Sequence, residues 1–205
     1  MGFYAHSDRE NDRNQWQLLK AHLGDTAVNA ARFAKTFGAE KLAYAAGLLH
    51  DVGKYSDAFQ ELLEGRPGRV DHSTPGAVEA AKRFGPAGRL LAYMIAGHHC
   101  GLPDWGSAAD ESSLEARLSK GLEDYSAFVE EIDLPAPRDV TLPNLVPSAG
   151  GGFCAQFLIR LVYSCLVDAD FLNTESVLDP DNAVFRHRPY SLKDLSRELD
   201  SYLVV

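Results

Sequence analysis

Leu48-Leu49-His50-Asp51-Val52-Gly53-Lys54 ends an apolar run in which Leu42, Ala45, Ala46, Leu49 and His50 recur at intervals of three and four. That spacing predicts a helix with one buried face, closed by Gly53. An imidazole and a carboxylate side by side at its end offer a nitrogen and an oxygen to one divalent ion. The second carboxylate oxygen is free to bridge to another. A helix C-terminus suits a histidine through its dipole but disfavours an aspartate, and a bound cation removes that conflict.

Working outward, Trp16, Leu19, His22, Leu23, Ala27, Ala30, Ala31 and Ala34 form a long amphipathic stretch that ends at Gly38. Asp57 to Leu63 reads as a short helix stopped by Gly65-Arg66-Pro67-Gly68. Thr74-Pro75 reads as the cap and first-turn proline of a helix through Phe84, and Pro86 opens another that runs into Gly97-His98-His99. Ser112 and Glu115 make a capping box for a charged helix through Glu131. The proline-rich stretch from Leu134 to Pro147 reads as an irregular connection. A core helix from Gly152 to Leu172 and a final helix over 191–205 complete the chain. No segment alternates over enough residues to predict a sheet. The expected fold is all-α, a helical bundle with the metal site in its core, with residues 1–205 as a single domain.

Composition narrows the classes. The chain has 205 residues, enough for one domain with a real core. No basic-then-apolar leader opens it, and no apolar run approaches the roughly 20 residues of a membrane span. A cytoplasmic protein with no membrane partner is therefore expected. Cys100, Cys154 and Cys165 lack CxxC pairing and read as buried free thiols of a reducing compartment. A net charge of −9 argues against gripping nucleic acid through a broad basic face, though a partner can deliver a strand. Gly150-Gly151-Gly152 lacks the Lys-Ser/Thr of a phosphate-binding loop and reads as a flexible start to a helix.

Five of the seven histidines stand at or near element ends together with the acidic Val167-Asp168-Ala169-Asp170. Taken singly, each has another reading: His22 as a core histidine bonded to a carbonyl, His72 as an exposed loop residue, one of His98 and His99 as pointing outward. Together they suggest two ions, one held by His22, His50, Asp51 and Asp170, the other by Asp51, His72, His98 and His99. Imidazoles and carboxylates suit Mn, Fe, Co, Ni or Zn, and the absence of a cysteine cluster argues against a structural zinc. Two such ions about 3.5–4 Å apart stabilise the entering and leaving oxygens at phosphorus, which points to phosphoester hydrolysis. Lys54, one turn beyond His50 and Asp51, is placed either to neutralise a phosphate oxygen or to sit solvated near a helix end.

These residues resemble the HD phosphohydrolase superfamily, with its H…HD…D pattern on a helical core. Tyr4-Ala5-His6-Ser7, Trp16 to His22, Leu48 to Gln60, His72-Ser73, Gly97-His98-His99 and Asp168 to Glu175 are similar to one branch. That branch is the HD nuclease domain of the CRISPR-associated helicase–nuclease of type I systems. The resemblance implies an HD-domain bundle that cleaves single-stranded DNA with two divalent transition-metal ions, Mn, Ni, Co or Fe. It implies a superfamily 2 helicase, fused or separate, and an RNA-guided surveillance complex as partners. The helix over 191–205 is then either a natural end or the lead into a helicase. In HD proteins the closing aspartate follows a small residue and precedes a large one, which selects Asp170. Asp168 lies about 200° away on a helix and is left as an outer partner. His6 belongs to the resembling pattern but to neither ligand set.

Two other functions compete. A nucleotidase or cyclic-nucleotide phosphodiesterase of the same superfamily would share the metal chemistry but need a base-recognition pocket. A non-catalytic docking module would keep its metal for folding alone.

Overall fold

The computed structural model describes residues 2–7, 12–110, 112–144, 151–186 and 191–203. Helices α1 (Leu19–Ala34) and α2 (Glu40–Leu49) form a hairpin, joined through a 3-10 turn at Lys35–Phe37. Gly38 ends that turn with a φ of 72°, the left-handed cap that glycine adopts without penalty. The hairpin is packed with small residues, among them Ala27, Ala30, Ala34, Ala43, Ala46 and Gly47, all buried. A Cβ on Gly47 would come within 2.4 Å of the Ala27 backbone, so the missing side chain is what lets the two axes approach. This close hairpin brings His22, near the start of α1, beside His50, just past the end of α2.

After Asp51 a 3-10 turn (Val52–Tyr55) leads into α3 (Asp57–Leu63), capped by Ser56 Oγ, which accepts from the Phe59 N–H. The second hairpin is α4 (Ser73–Arg83) and α5 (Gly85–Gly97). Gly53 lies so close to the start of α4 that a Cβ would sit 2.5 Å from the His72 carbonyl oxygen. The turn after the His-Asp pair and the backbone of His72 are thus in direct contact. Helix α8 (Gly152–Leu178) packs across α1, α2 and α5 through Leu158, Val162, Leu166, Ala169 and Asn173, spaced at threes and fours. By length and hydropathy α8 is the one helix among the described residues that could cross a bilayer. Its buried stripe is instead occupied by the other core helices, and the same face carries polar groups into the site described below.

The architecture is the expected all-α bundle, with several local differences. Strands β1 (Tyr4–His6) and β2 (Gln17–Leu18) pair antiparallel, which the sequence did not predict because three and two residues are too few for alternation to register. Asp71, rather than Thr74, caps α4: its carboxylate accepts from the Thr74 N–H at 3.1 Å and from Thr74 Oγ1 at 2.8 Å. The helix expected from Ser112 to Glu131 is broken into α6 (Leu114–Leu118) and α7 (Phe128–Glu131), and its cap is Ser113. Gly121 interrupts it, and Asp124 accepts from the Ser126 N–H, giving the backbone an alternative to the helical ladder. Helix α8 runs past Leu172 to Leu178 and is followed by α9 (Pro180–Arg186), whose first-turn proline was its signal. The last helix, α10 (Leu192–Leu203), buries no residue, and residues 204 and 205 of the expected 191–205 helix lie outside the described ones. So do residues 145–147 of the proline-rich connection and Gly150. The cysteines are not buried as expected: Cys100 is exposed and Cys154 and Cys165 are partly so.

Candidate metal centre

Each histidine of the cluster is oriented by a bond on one side of its ring. His50 Nδ1 donates to the Gly47 carbonyl at 2.8 Å, and His98 Nδ1 donates to the Ile95 carbonyl at 2.7 Å. Both partners lie three residues earlier, on the last turn of the helix each histidine terminates. His72 Nδ1 donates more weakly to the Val70 carbonyl at 3.3 Å. His22, in mid-helix, has no free carbonyl to use, and its Nδ1 donates to Asn173 Oδ1 at 2.7 Å. A carbonyl only accepts, so the proton is fixed on Nδ1 and the lone pair on Nε2. All four Nε2 atoms then converge on Asp51.

The two oxygens of Asp51 face different sets. Oδ2 lies 3.5 Å from His22 Nε2 and 3.4 Å from His50 Nε2, whereas Oδ1 lies 3.3 Å from His98 Nε2 and 3.6 Å from His72 Nε2. Asp170 Oδ1 completes the first group, 3.3 Å from His22 Nε2 and 3.6 Å from His50 Nε2. His99 completes the second: with Asp51, His72 and His98 it offers ligand atoms within 4.8 Å of one another. A third grouping, His50, His98 and Asp170, overlaps both. The structure therefore brings together His22, His50, Asp51, His72, His98, His99 and Asp170. Asp168 is exposed and outside every grouping.

Several of these atoms are left unsatisfied in the protein. Asp51 Oδ1, His72 Nε2 and His98 Nε2 are buried without a hydrogen-bond partner. His22 Nε2 and His50 Nε2 stand 3.2 Å apart. Two lone pairs at that distance repel unless a proton or a cation lies between them, and the spacing is close to that of two nitrogens each about 2.0–2.1 Å from one ion. Orphaned buried polar groups are costly and rare, so the donor set fits divalent metal.

The charges agree. Burial opposes ionising Asp51, but Lys54, His50 and the contacts with His22 and His98 hold its pKa well below the usual carboxylate range. Burial likewise opposes Asp170, whose pKa is nevertheless strongly lowered by His22 and His50. Both ligands are anionic at neutral pH. Burial disfavours a charge on His22, yet Asp170 and Asp51 outweigh it and raise its pKa to about 9. His98 is raised in the same way, against its own burial, by Asp51. Burial lowers His72, and burial with the neighbouring His98 lowers His99 to about 4, so both keep a lone pair free.

Lys54 is also here, and it is not the solvated lysine that its position near a helix end allowed. It is buried, with Nζ 2.7 Å from Asp51 Oδ2 and donating at 3.1 Å to the Ala5 carbonyl. It thus holds both the bridging carboxylate and the N-terminal strand. Gln60 reinforces that strand, donating from Nε2 to the Tyr4 carbonyl at 3.0 Å and accepting from the Tyr4 N–H at 3.1 Å. The result seats His6 edge-on to His22, ring centroids 4.9 Å apart, with Nε2 3.2 Å from Thr174 Oγ1. Burial, then Lys54 and His22, lower the His6 pKa to about 3, so it is neutral and supports the His22 ring.

Sequence reasoning missed Asn173 and Gln17. Asn173 lies three residues after Asp170 on the same face of α8 and fixes His22, while Gln17 Nε2 donates to Asn173 Oδ1 at 2.7 Å and fixes Asn173. The three-residue spacing was a usable signal for Asn173, and Gln17 had none. Replacing Asn173 by alanine is expected to weaken metal binding by about 10–100-fold, the usual cost of losing a group that orients a ligating histidine. Titration of the metal-free variant by calorimetry measures it; unchanged affinity would remove Asn173 from the site's support.

The family model of the HD domain matches residues 20–127, more than half of the chain, and contains every histidine of the cluster and Asp51. No curated protein matches the chain. A match that spans the two core hairpins meets a buried set of imidazoles and carboxylates fit for divalent metal, and each accounts for the other. The chain belongs to the HD domain family and is a metal-dependent phosphohydrolase.

Proposed function

We propose that this phosphohydrolase is a nuclease that cleaves single-stranded DNA in the cytoplasm, using two divalent transition-metal ions. In this reading it serves CRISPR interference. A superfamily 2 helicase, joined to it or separate, feeds it strands recruited by an RNA-guided surveillance complex. Residues 1–205 act as one nuclease unit, with α10 leading toward the helicase in a fused protein.

The observation that carries the two-ion part is Asp51, whose oxygens address separate histidine sets. His22, His50 and Asp170 would hold one ion, His72, His98 and His99 the other, with Asp51 between them. When bound, such ions supply a nucleophile and positive charge for in-line displacement at phosphorus. The protein's own part is to keep four imidazoles in the ligating tautomer, to keep both carboxylates ionised, and to hold Asp51 in register through Lys54. What supports DNA as substrate is the resemblance around His6, Leu48 to Gln60 and Asp168 to Glu175. The acidic balance suits a cutter that receives its strand from a partner.

The test is cleavage of circular single-stranded DNA by metal-stripped protein resupplied separately with Mn, Ni, Co, Fe, Mg or Zn. Linearisation restored by a transition metal is expected, and it shows an endonuclease because a circle offers no end. Faster turnover of a mononucleotide or cyclic dinucleotide than of DNA would replace this reading with a nucleotide hydrolase.

A further inference from the structure

A cleft of about 910 Å³ opens over the outer side of the cluster, with His72 and His99 in its wall. Its lining is unlike the rest of this acidic chain. Arg69, Arg117 and Lys120 contribute three cations against one carboxylate, Asp71. The lining contains no Asn, Gln, Phe, Tyr or Trp, and its three cations suit phosphate oxygens. Contacts from cations to phosphate oxygens position a strand and do not read its sequence.

We propose that this cleft binds the sugar–phosphate backbone of a single strand beside the scissile phosphate, through Arg69 and Lys120. The proposal rests on the nuclease reading above and adds its substrate-binding residues. Arg69 is exposed and makes no hydrogen bond or ion pair among the described residues, so its charge is available. Lys120 Nζ lies 3.3 Å from Asp71 Oδ2, but its side chain is 58% exposed, and a surface pair of this kind contributes little. Asp71 remains bound to Thr74 if Lys120 leaves it. Arg117 is fixed instead, donating to the Ala96 carbonyl at 2.5 Å and to Cys100 Sγ at 3.1 Å. It gives the wall a permanent charge next to His99. A strand lying between Arg69 and Lys120 would pass over His72 and His99, where the second ion belongs.

The experiment is fluorescence anisotropy of a labelled oligothymidylate with metal-stripped protein over a range of salt, in parallel with cleavage of the same strand by metal-loaded protein. Arg69→Ala/Lys120→Ala is compared with Lys35→Ala/Lys41→Ala, which removes two exposed charges at the far end of the α1–α2 hairpin. The cleft double variant is expected to bind at least tenfold more weakly at low salt. Its dependence of log K on log salt should be shallower by about 0.7 for each phosphate that is no longer neutralised. Wild-type binding should be equal for oligothymidylate and oligoadenylate and much weaker for thymidine monophosphate. Equal binding by the cleft variant and wild type overturns the cleft while leaving DNA cleavage standing. Thymidine monophosphate binding as tightly as the oligomer also overturns it, in favour of a nucleotide site. If wild type binds the strand through these residues but cuts it with no metal, the cleft stands and the nuclease reading fails. If wild type neither binds nor cuts, both fail.

Discussion

Hydrolysis is expected to fall by at least about a thousandfold when Asp51 is replaced by alanine. That is the upper end of what losing one electrostatic contact to a transition state costs, and here both ligand sets lose their shared member. The same change leaves the Lys54 ammonium buried with no anion beside it, since Asp51 Oδ2 is its partner at 2.7 Å. Breaking a buried ion pair from one side costs about 3–5 kcal/mol, so Asp51→Ala should melt well below wild type while keeping its helical content. Adding Lys54→Met removes the stranded charge. The double variant should regain much of the lost stability and none of the activity. Melting curves and cleavage rates for the four proteins check this; a double variant no more stable than Asp51→Ala would mean that Lys54 does not depend on Asp51. Activity retained by Asp51→Ala would take Asp51 out of the chemistry.

The second large effect is on pH. In the metal-free protein the His22 pKa is raised from 6.5 to about 9, so at neutral pH it carries a proton that a metal must displace. Apparent metal affinity should therefore rise with pH, tenfold per unit for this histidine, and level off above pH 9. His98, also raised, steepens the slope below its own pKa. Stability runs the other way without metal. A group whose folded pKa exceeds its unfolded value stabilises fully below the unfolded value, near 6.5, and that contribution disappears as pH rises through about 9. Metal-free protein should thus lose stability from pH 6.5 to 9, while metal-saturated protein stays level because the rising affinity offsets that loss. On the acid side Asp51 and Asp170, both lowered, stabilise above the unfolded value of 3.8 and lose that contribution as pH falls below it. Melting temperatures with and without metal across this range should diverge; parallel curves would show that His22 does not exchange a proton for metal.

Which parts were readable in the sequence follows from the length and regularity of each signal. Helices α1, α2, α4 and α5 carry apolar residues at threes and fours over ten or more residues, and their ends are marked by Gly38, Gly53 and Gly97. The His-Asp pair lies at one of those ends, so its placement followed from the helix. Region 112–131 misled because its apolar spacing persists through Gly121 and the Asp124 turn, where local bonds prevail over periodicity. The strand pair depends on contacts from Gln60 and Lys54, far away in sequence. The role of Lys54 was hidden for a similar reason: spacing puts it one turn from Asp51, but only the Ala5 carbonyl shows which way the ammonium points. Asn173 and Gln17 are ordinary polar residues until the bundle closes around His22.

That closure bears on when the protein becomes competent. The bond from His22 to Asn173 spans 151 residues, and Asp170 arrives on the same late helix. The α1–α2 hairpin and the HD turn can form from local contacts early in synthesis, whereas contacts of such long range wait for the rest of the chain. A nascent or partly folded chain therefore lacks Asp170, which completes the first ligand set, although Asp51, His72, His98 and His99 of the second lie within residues 51–99. Ions that bind only the finished bundle stabilise it by mass action. Since Asp170 joins the first ligand set last, an ion held there should slow unfolding more than it speeds folding.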